Sequence, residues 1–190
     1  MLKIIAGKHR GRNVRTKESK AVRPTSGKAR GAIFNILMHR HFTGIEDSPV
    51  VDQSVIDLFF GTGALGLEAL SRGAAHVTFI DGSADSISLA RENARSMGEE
   101  ANTAFIRSDS TVLPSARRQC SLAFLDPPYD SGLAAKSLTS LDRQGWLLPS
   151  AVAVVEISAR ENLVPPENFI LTDERKYGNS KIVFLQYDKR

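Results

Sequence analysis

The chain holds 190 residues, 42% hydrophobic and 24% charged, with one cysteine, Cys120, which excludes a disulfide framework and a cysteine-built zinc site and suits a reducing cytosol. No apolar run approaches the roughly 20 residues that span a bilayer, and the opening Met1 to Lys8 is too short in apolar residues for a signal peptide, so a cytoplasmic protein is expected. The net charge of +4 is segregated: residues 1–41 carry 11 Lys or Arg against one acid, Glu18, and the rest carries 14 bases and 20 acids, which favours a polyanion partner for the N-terminal segment.

In chain order, residues 2–6 and 12–16, separated by Gly7 to Gly11, read as a short β-hairpin with its cations projecting outward. A loop through Val22, Arg23, Pro24, Thr25 and Ser26 leads into a helix over Lys28 to His41, where Ala29, Ile33, Ile36 and Leu37 recur at helical spacing. Gly44 to Gln53 is polar and acidic and contains Pro49, so it divides a basic extension, residues 1–45, from the main fold, residues 46–190. From Ser54 a β-α-β-α pattern runs through Val55 to Phe60, Ala64 to Arg72, His76 to Ile80 and Ala84 to Met97, with Gly98 ending the second helix. Strands follow at Thr103 to Arg107, Ser121 to Leu125, Ala151 to Ile157, Phe169 to Thr172 and Ile182 to Gln186, with a helix over Leu133 to Asp142. The pattern predicts an α/β fold with a doubly wound, mostly parallel sheet that closes on an antiparallel hairpin.

Asp57-Leu58-Phe59-Phe60-Gly61-Thr62-Gly63-Ala64-Leu65-Gly66 places three glycines in G-x-G-x-x-G spacing between a strand and a helix, where backbone approaches a ligand closely. A tight turn without a ligand has the same spacing. Asp81, ending the next strand, is placed to accept both hydroxyls of a ribose. Asp57 faces the loop: its charge repels a pyrophosphate and attracts an ammonium or a sulfonium, which favours S-adenosylmethionine over a nicotinamide dinucleotide. The alternative for Asp57 is a brace for the turn. Asp109, after the third strand, stands where the exocyclic amine of adenine would lie, or is an exposed loop aspartate.

Asp126-Pro127-Pro128-Tyr129 is the most specific feature of the chain. Two prolines end the strand in a rigid turn and keep their carbonyls as acceptors. Asp126 and the Pro127 carbonyl are placed to accept the two hydrogens of an exocyclic amine, aiming its lone pair at a methyl group, with Tyr129 stacked on the base. The competing reading is a turn with an anchoring tyrosine. Asp130 is expected to cap the following helix, and Cys120 to pack at a strand entrance. His9, His39, His41 and His76 show no ligand-like spacing, so no metal is expected.

These features resemble the S-adenosylmethionine-dependent N-methyltransferases, and more closely the bacterial 16S ribosomal RNA guanine-N2 methyltransferases of the RsmD type. The resemblance covers nearly the whole chain: the entry Ile4 to Arg12, the segment Arg23 to Leu37 that opens Arg-Pro-Thr, the run Asp57 to Arg72, Asp126 to Tyr129, and Tyr177 to Lys181. It implies a seven-stranded class I methyltransferase sheet, S-adenosylmethionine as methyl donor, and a guanine amine in 16S ribosomal RNA, free or in an assembling small-subunit particle, as acceptor. By position, Gly61, Thr62 and Gly63 line the methionine part of the donor, Asp81 takes its ribose and Asp109 its adenine, while Asp126, Pro127, Pro128 and Tyr129 take the target base. Lys8, Arg10, Arg12, Arg15 and Arg23 are expected on RNA phosphates, against the alternative of a solvated charged face.

The chain departs from that family at Gly27, Gly31 and Phe60. Glycine in a helix costs about 1 kcal/mol against alanine, so the helix after Arg23 is expected to fray until RNA or donor binds, and Phe60 is expected to narrow the donor pocket. Three other readings stand beside the leading one: an N-methyltransferase acting on adenine or cytosine of DNA, a noncatalytic RNA-binding assembly protein on the same fold, and a dinucleotide-dependent oxidoreductase, which Asp57 disfavours. A monomer is the default expectation.

Overall fold

The computed structural model describes residues 2–16, 27–45 and 48–189. The hairpin is reduced to two short antiparallel strands, β1 (Leu2–Lys3) and β2 (Asn13–Val14), with Leu2 opposite Val14. There follow α1 (Gly27–His39), β3 (Ser54–Leu58), α2 (Ala64–Ser71), β4 (His76–Asp81), α3 (Ala84–Met97), β5 (Thr103–Arg107), β6 (Cys120–Leu125), α4 (Leu133–Arg143), β7 (Leu147–Ser158), β8 (Phe169–Tyr177) and β9 (Ser180–Tyr187). The expected helix over Lys28 to His41 is continuous through Gly31, so the weak helix former is carried by packing: Ile33, Phe34 and Leu37 are buried to 1% exposure or less.

The sheet runs β5-β4-β3-β6-β7-β9-β8, seven strands, parallel from β5 to β7 and antiparallel at β9 and β8. Strand alternation divides the core between the two faces. Val55, Phe79, Phe124 and Val154 point toward α1, α2 and α3, while Ile56, Leu58, Leu125 and Val155 point toward α4 and Trp146. Strands covered on both sides read as continuous apolar runs for this reason, and the doubly wound arrangement follows. The last strands are longer than their apolar runs suggest, because β8 lies at the edge, where polar residues such as Glu174, Arg175 and Lys176 keep pairing with β9.

The basic entry segment is built onto this core. Ile4 and Val14 join the cluster beneath α1 to α3. Glu68, fully buried in α2, accepts from the backbone N–H groups of Ile5 (2.8 Å) and Ala6 (3.0 Å) and from Arg72 Nε (2.8 Å), with the buried Arg30 of α1 beside it at 3.6 Å. At Gly7, φ is +84° and a Cβ would fall on the Ser71 carbonyl, so only glycine lets the hairpin approach α2 this closely. Asn93 of α3 completes the anchorage: it accepts from Arg15 N (2.8 Å) and donates to the carbonyls of Arg15 (3.1 Å) and Thr62 (3.2 Å).

Candidate active site

In open parallel sheets ligands lie beyond the carboxyl ends of the strands where the strand order reverses. Here that point falls between β3 and β6, since the chain runs outward from β3 to β4 and β5 and then returns to β6 on the other side. Leu58 pairs with Leu125, and Asp126 N–H donates to the Leu58 carbonyl at 3.4 Å, so the glycine loop and the Asp126-Pro127-Pro128-Tyr129 turn emerge side by side.

The glycine loop has the backbone a ligand cradle requires. Phe59, Gly61 and Gly63 have φ of 56°, 54° and 77°, and a side chain at Gly61 would meet no atom within 4 Å, so that position opens outward. Gly66 serves packing instead, because a Cβ there would fall on the Phe79 ring. Asp57, 1% exposed, accepts from Gly66 N–H at 2.9 Å through Oδ2, whereas its buried Oδ1 has no partner. Burial pushes this carboxyl up to about 8, the Gly66 bond opposing and the Asp81 charge assisting. Asp57 therefore braces the turn and leaves its buried Oδ1 to a ligand; a cationic group beside it would draw the carboxyl into its charged form, which a pyrophosphate would oppose.

Asp81 stands at the edge of the loop, accepting from Ser83 N–H at 2.8 Å and from Gly61 N–H at 3.4 Å. Asp109 is exposed, and its Oδ1 takes both Thr111 N–H (2.8 Å) and Thr111 Oγ1 (2.7 Å), which hold its carboxyl below the ordinary range. Next to it Ser110 Oγ is buried without a partner. Phe60 does not narrow the loop: its ring is 7% exposed and packs edge-on against Phe79, 5.2 Å between centroids, inside the core.

In the turn after β6, Pro127 is buried, and the Pro128 carbonyl accepts from Ser131 Oγ at 2.5 Å. The Tyr129 ring is 44% exposed, and its phenol donates to Glu156 Oε1 at 3.2 Å. Burial and the charges of Glu156 and Asp126 raise that phenol above its ordinary value, opposed by a hydrogen bond with Ser180. Asp130 does not cap α4: Gly132 takes the N-cap position with no side-chain cap, and Asp130, at φ 54°, offers its N–H to Glu161 Oε2 at 3.1 Å. Cys120 is buried as expected, its thiol pushed up to about 12 by burial.

Of the basic residues, Lys8 pairs with Glu99 at 2.7 Å, Arg12 donates to the Ser96 carbonyl at 2.8 Å and Arg15 pairs with Glu92 at 3.2 Å, while Arg10 is exposed. Lys8, Arg12 and Arg15 also remain solvent-exposed. Arg23, with the Arg-Pro-Thr segment, lies outside the described residues. Three residues that periodicity does not single out matter here: Glu68 and Asn93, polar positions in buried helix faces, and Glu156, a buried acid within the apolar stretch of β7. In each case the signal is a charge or amide where the pattern calls for an apolar residue.

The strand order, the glycine loop with an acid beneath it and a second acid ending the next strand together define a class I, S-adenosylmethionine-dependent methyltransferase. The family model described as conserved hypothetical protein 95 matches residues 2–186, and the chain belongs to that family, the RsmD type. It is 34% identical over 181 residues to ribosomal RNA small subunit methyltransferase D of Escherichia coli strain K12, covering 93% of this chain and 85% of the relative. The same-named Haemophilus influenzae protein is 32% identical over 182 residues, covering 93% and 89%. The solved Escherichia coli protein yhhF, named as a methyltransferase, superposes with a TM-score of 0.84 at 29% identity, covering 100% of this chain and 99% of that one.

Proposed function

We propose that the protein transfers a methyl group to the exocyclic N2 amine of a guanine in 16S ribosomal RNA. The observation that carries the reading is the Asp126-Pro127-Pro128-Tyr129 turn emerging beside the glycine loop at the switch point of the sheet. The relatives named as small-subunit ribosomal RNA methyltransferases support the acceptor class.

Asp57, Gly61, Thr62, Gly63, Asp81 and Asp109 are the residues to hold S-adenosylmethionine, and the unpartnered Asp57 Oδ1 and the open space at Gly61 fit it. When bound, the donor supplies an electrophilic methyl on a sulfonium. Asp126 and the Pro127 carbonyl accept the two amine hydrogens and aim the nitrogen lone pair, while the half-exposed Tyr129 ring stacks on the base. As the nitrogen is alkylated it becomes more acidic, and Asp126 is placed to take its proton. Pro128 shapes the turn, its own carbonyl being engaged by Ser131.

Residues 1–45 serve in this reading as an RNA-binding extension to the catalytic part, residues 46–190. Lys8, Arg10, Arg12, Arg15 and Arg23 contact phosphates, their charge being the sequence-independent part of the affinity. The substrate is the RNA or a small-subunit assembly particle, and the protein acts as a monomer in the cytoplasm; no helix among the described residues is long and apolar enough to cross a membrane. The test is Asp126→Ala: methyl transfer to 16S RNA is lost while calorimetric donor binding is retained. Turnover by the variant sinks the reading.

A further inference from the structure

The turn after β6 accounts for one carboxylate at the target-base site, yet a second acid stands level with it on the neighbouring strand β7. Leu125 of β6 pairs with Val155 of β7, so the next residues along these parallel strands are Asp126 and Glu156. Glu156 sits opposite Ile182 of β9, and Ile182 and Val154 both belong to the core cluster beneath α1 to α3, so Glu156 shares that face with Asp57's strand neighbour Val55. It is only 6% exposed within β7, where a buried carboxylate is kept only by polar groups that meet it. The phenol of Tyr129, whose ring is the exposed platform of the site, donates to its Oε1 at 3.2 Å. The adjacent cation, Lys181, is itself buried and pairs with Glu174 at 3.2 Å.

We propose that Glu156 reads guanine: it holds the Tyr129 ring through the phenol and presents its carboxylate to the guanine N1–H, beside the N2 amine received by Asp126. This rests on the reading of the site as a guanine-N2 methyltransferase and names the residue that gives it base selectivity. Guanine is the base whose edge sets a ring N–H next to an exocyclic amine. Adenine and cytosine set a ring lone pair next to theirs. Two adjacent carboxylates are therefore matched to guanine, and against the other two bases Glu156 faces a lone pair in a buried position, where neither acceptor finds a proton. The Asp-Pro-Pro-Tyr turn reads an amine whatever base bears it; Glu156 adds the second reading point.

The experiment maps the guanine methylated by the wild-type protein, then supplies acceptor RNA with 2-aminopurine at that position, a base that keeps the 2-amine but carries a lone pair at N1. The wild type is expected to lose about 100-fold in kcat/KM on 2-aminopurine, because a site built to accept an N–H rejects the analogue that lacks it. Glu156→Gln, whose amide donates to N1, is expected to narrow the guanine to 2-aminopurine ratio about tenfold or more. Tyr129→Phe keeps the ring without the phenol and is expected to lower kcat while leaving the ratio unchanged. Glu156→Asp, which keeps the charge, retains the preference for guanine. Equal use of both bases by the wild type overturns the proposal, as does an unchanged ratio in Glu156→Gln with kcat lowered on both. Failure of the wild type to methylate guanine at all overturns the functional reading instead.

Discussion

Asp57 is the residue whose two functions conflict most visibly. It stabilises the glycine loop through Gly66, yet its buried carboxyl is pushed up to about 8. Below 3.8 the group is protonated folded and unfolded; from there to about 8 the folded chain keeps a proton that the unfolded chain releases, so stability falls as pH rises through this window and levels off above it. Thermal melts at pH 5 and pH 8 should show that loss in the wild type and a smaller one in Asp57→Asn, whereas donor affinity at pH 8 should be weaker in the variant. An equal pH dependence in both proteins contradicts the assignment. Gly66→Ala tests the packing role: the added methyl falls on Phe79, so despite the better helix propensity the net cost is about 1–3 kcal/mol, read as a lowered melting temperature.

At the scale of elements, the periodic segments were legible because burial decided them. The helix Ala84 to Met97 and the strand Thr103 to Arg107 agree with the sequence to the residue, since each has a single apolar face or run bounded by clear stops, Gly98 in the left-handed region among them. The hairpin was less legible: only Leu2 and Lys3 pair with Asn13 and Val14, and what holds the rest is Glu68, Ser71 and Asn93, more than 60 residues away in the chain. No local pattern reveals such side-chain-to-backbone anchors. The candidate site was legible where its residues are local in sequence, as in the glycine loop and the Asp-Pro-Pro-Tyr turn, and illegible where side chains meet across strands, as Glu156 meets Tyr129. Phe60 shows the same limit, since its place in the core depends on Phe79 of the neighbouring strand. Replacing Glu68 by Ala leaves the buried Arg30 without its carboxylate and two hairpin N–H groups unsatisfied, a loss of about 3–5 kcal/mol. Arg30→Met, which removes the charge and keeps apolar volume, should cost clearly less, and denaturant unfolding of both variants checks the order.

For the whole molecule, the organising fact is the charge division between residues 1–41 and the acidic remainder. Residues 2–16 are fixed to α2 and α3 through Glu68, Ser71 and Asn93, and Asn93 also holds the glycine loop at the Thr62 carbonyl. Binding to 16S RNA should weaken steeply with salt, and Arg10→Ala, removing an exposed cation, should lower the slope of log K against log salt by about one. Salt-independent binding contradicts a phosphate-reading role. The most direct test of the account as a whole is transfer of labelled methyl from S-adenosylmethionine to unmodified small-subunit particles, naked 16S RNA and DNA, followed by nucleoside analysis of the product. N2-methylguanosine in the RNA or the particles is the predicted result. Label in DNA, label on a base other than guanine, or no label despite measured donor binding contradicts it.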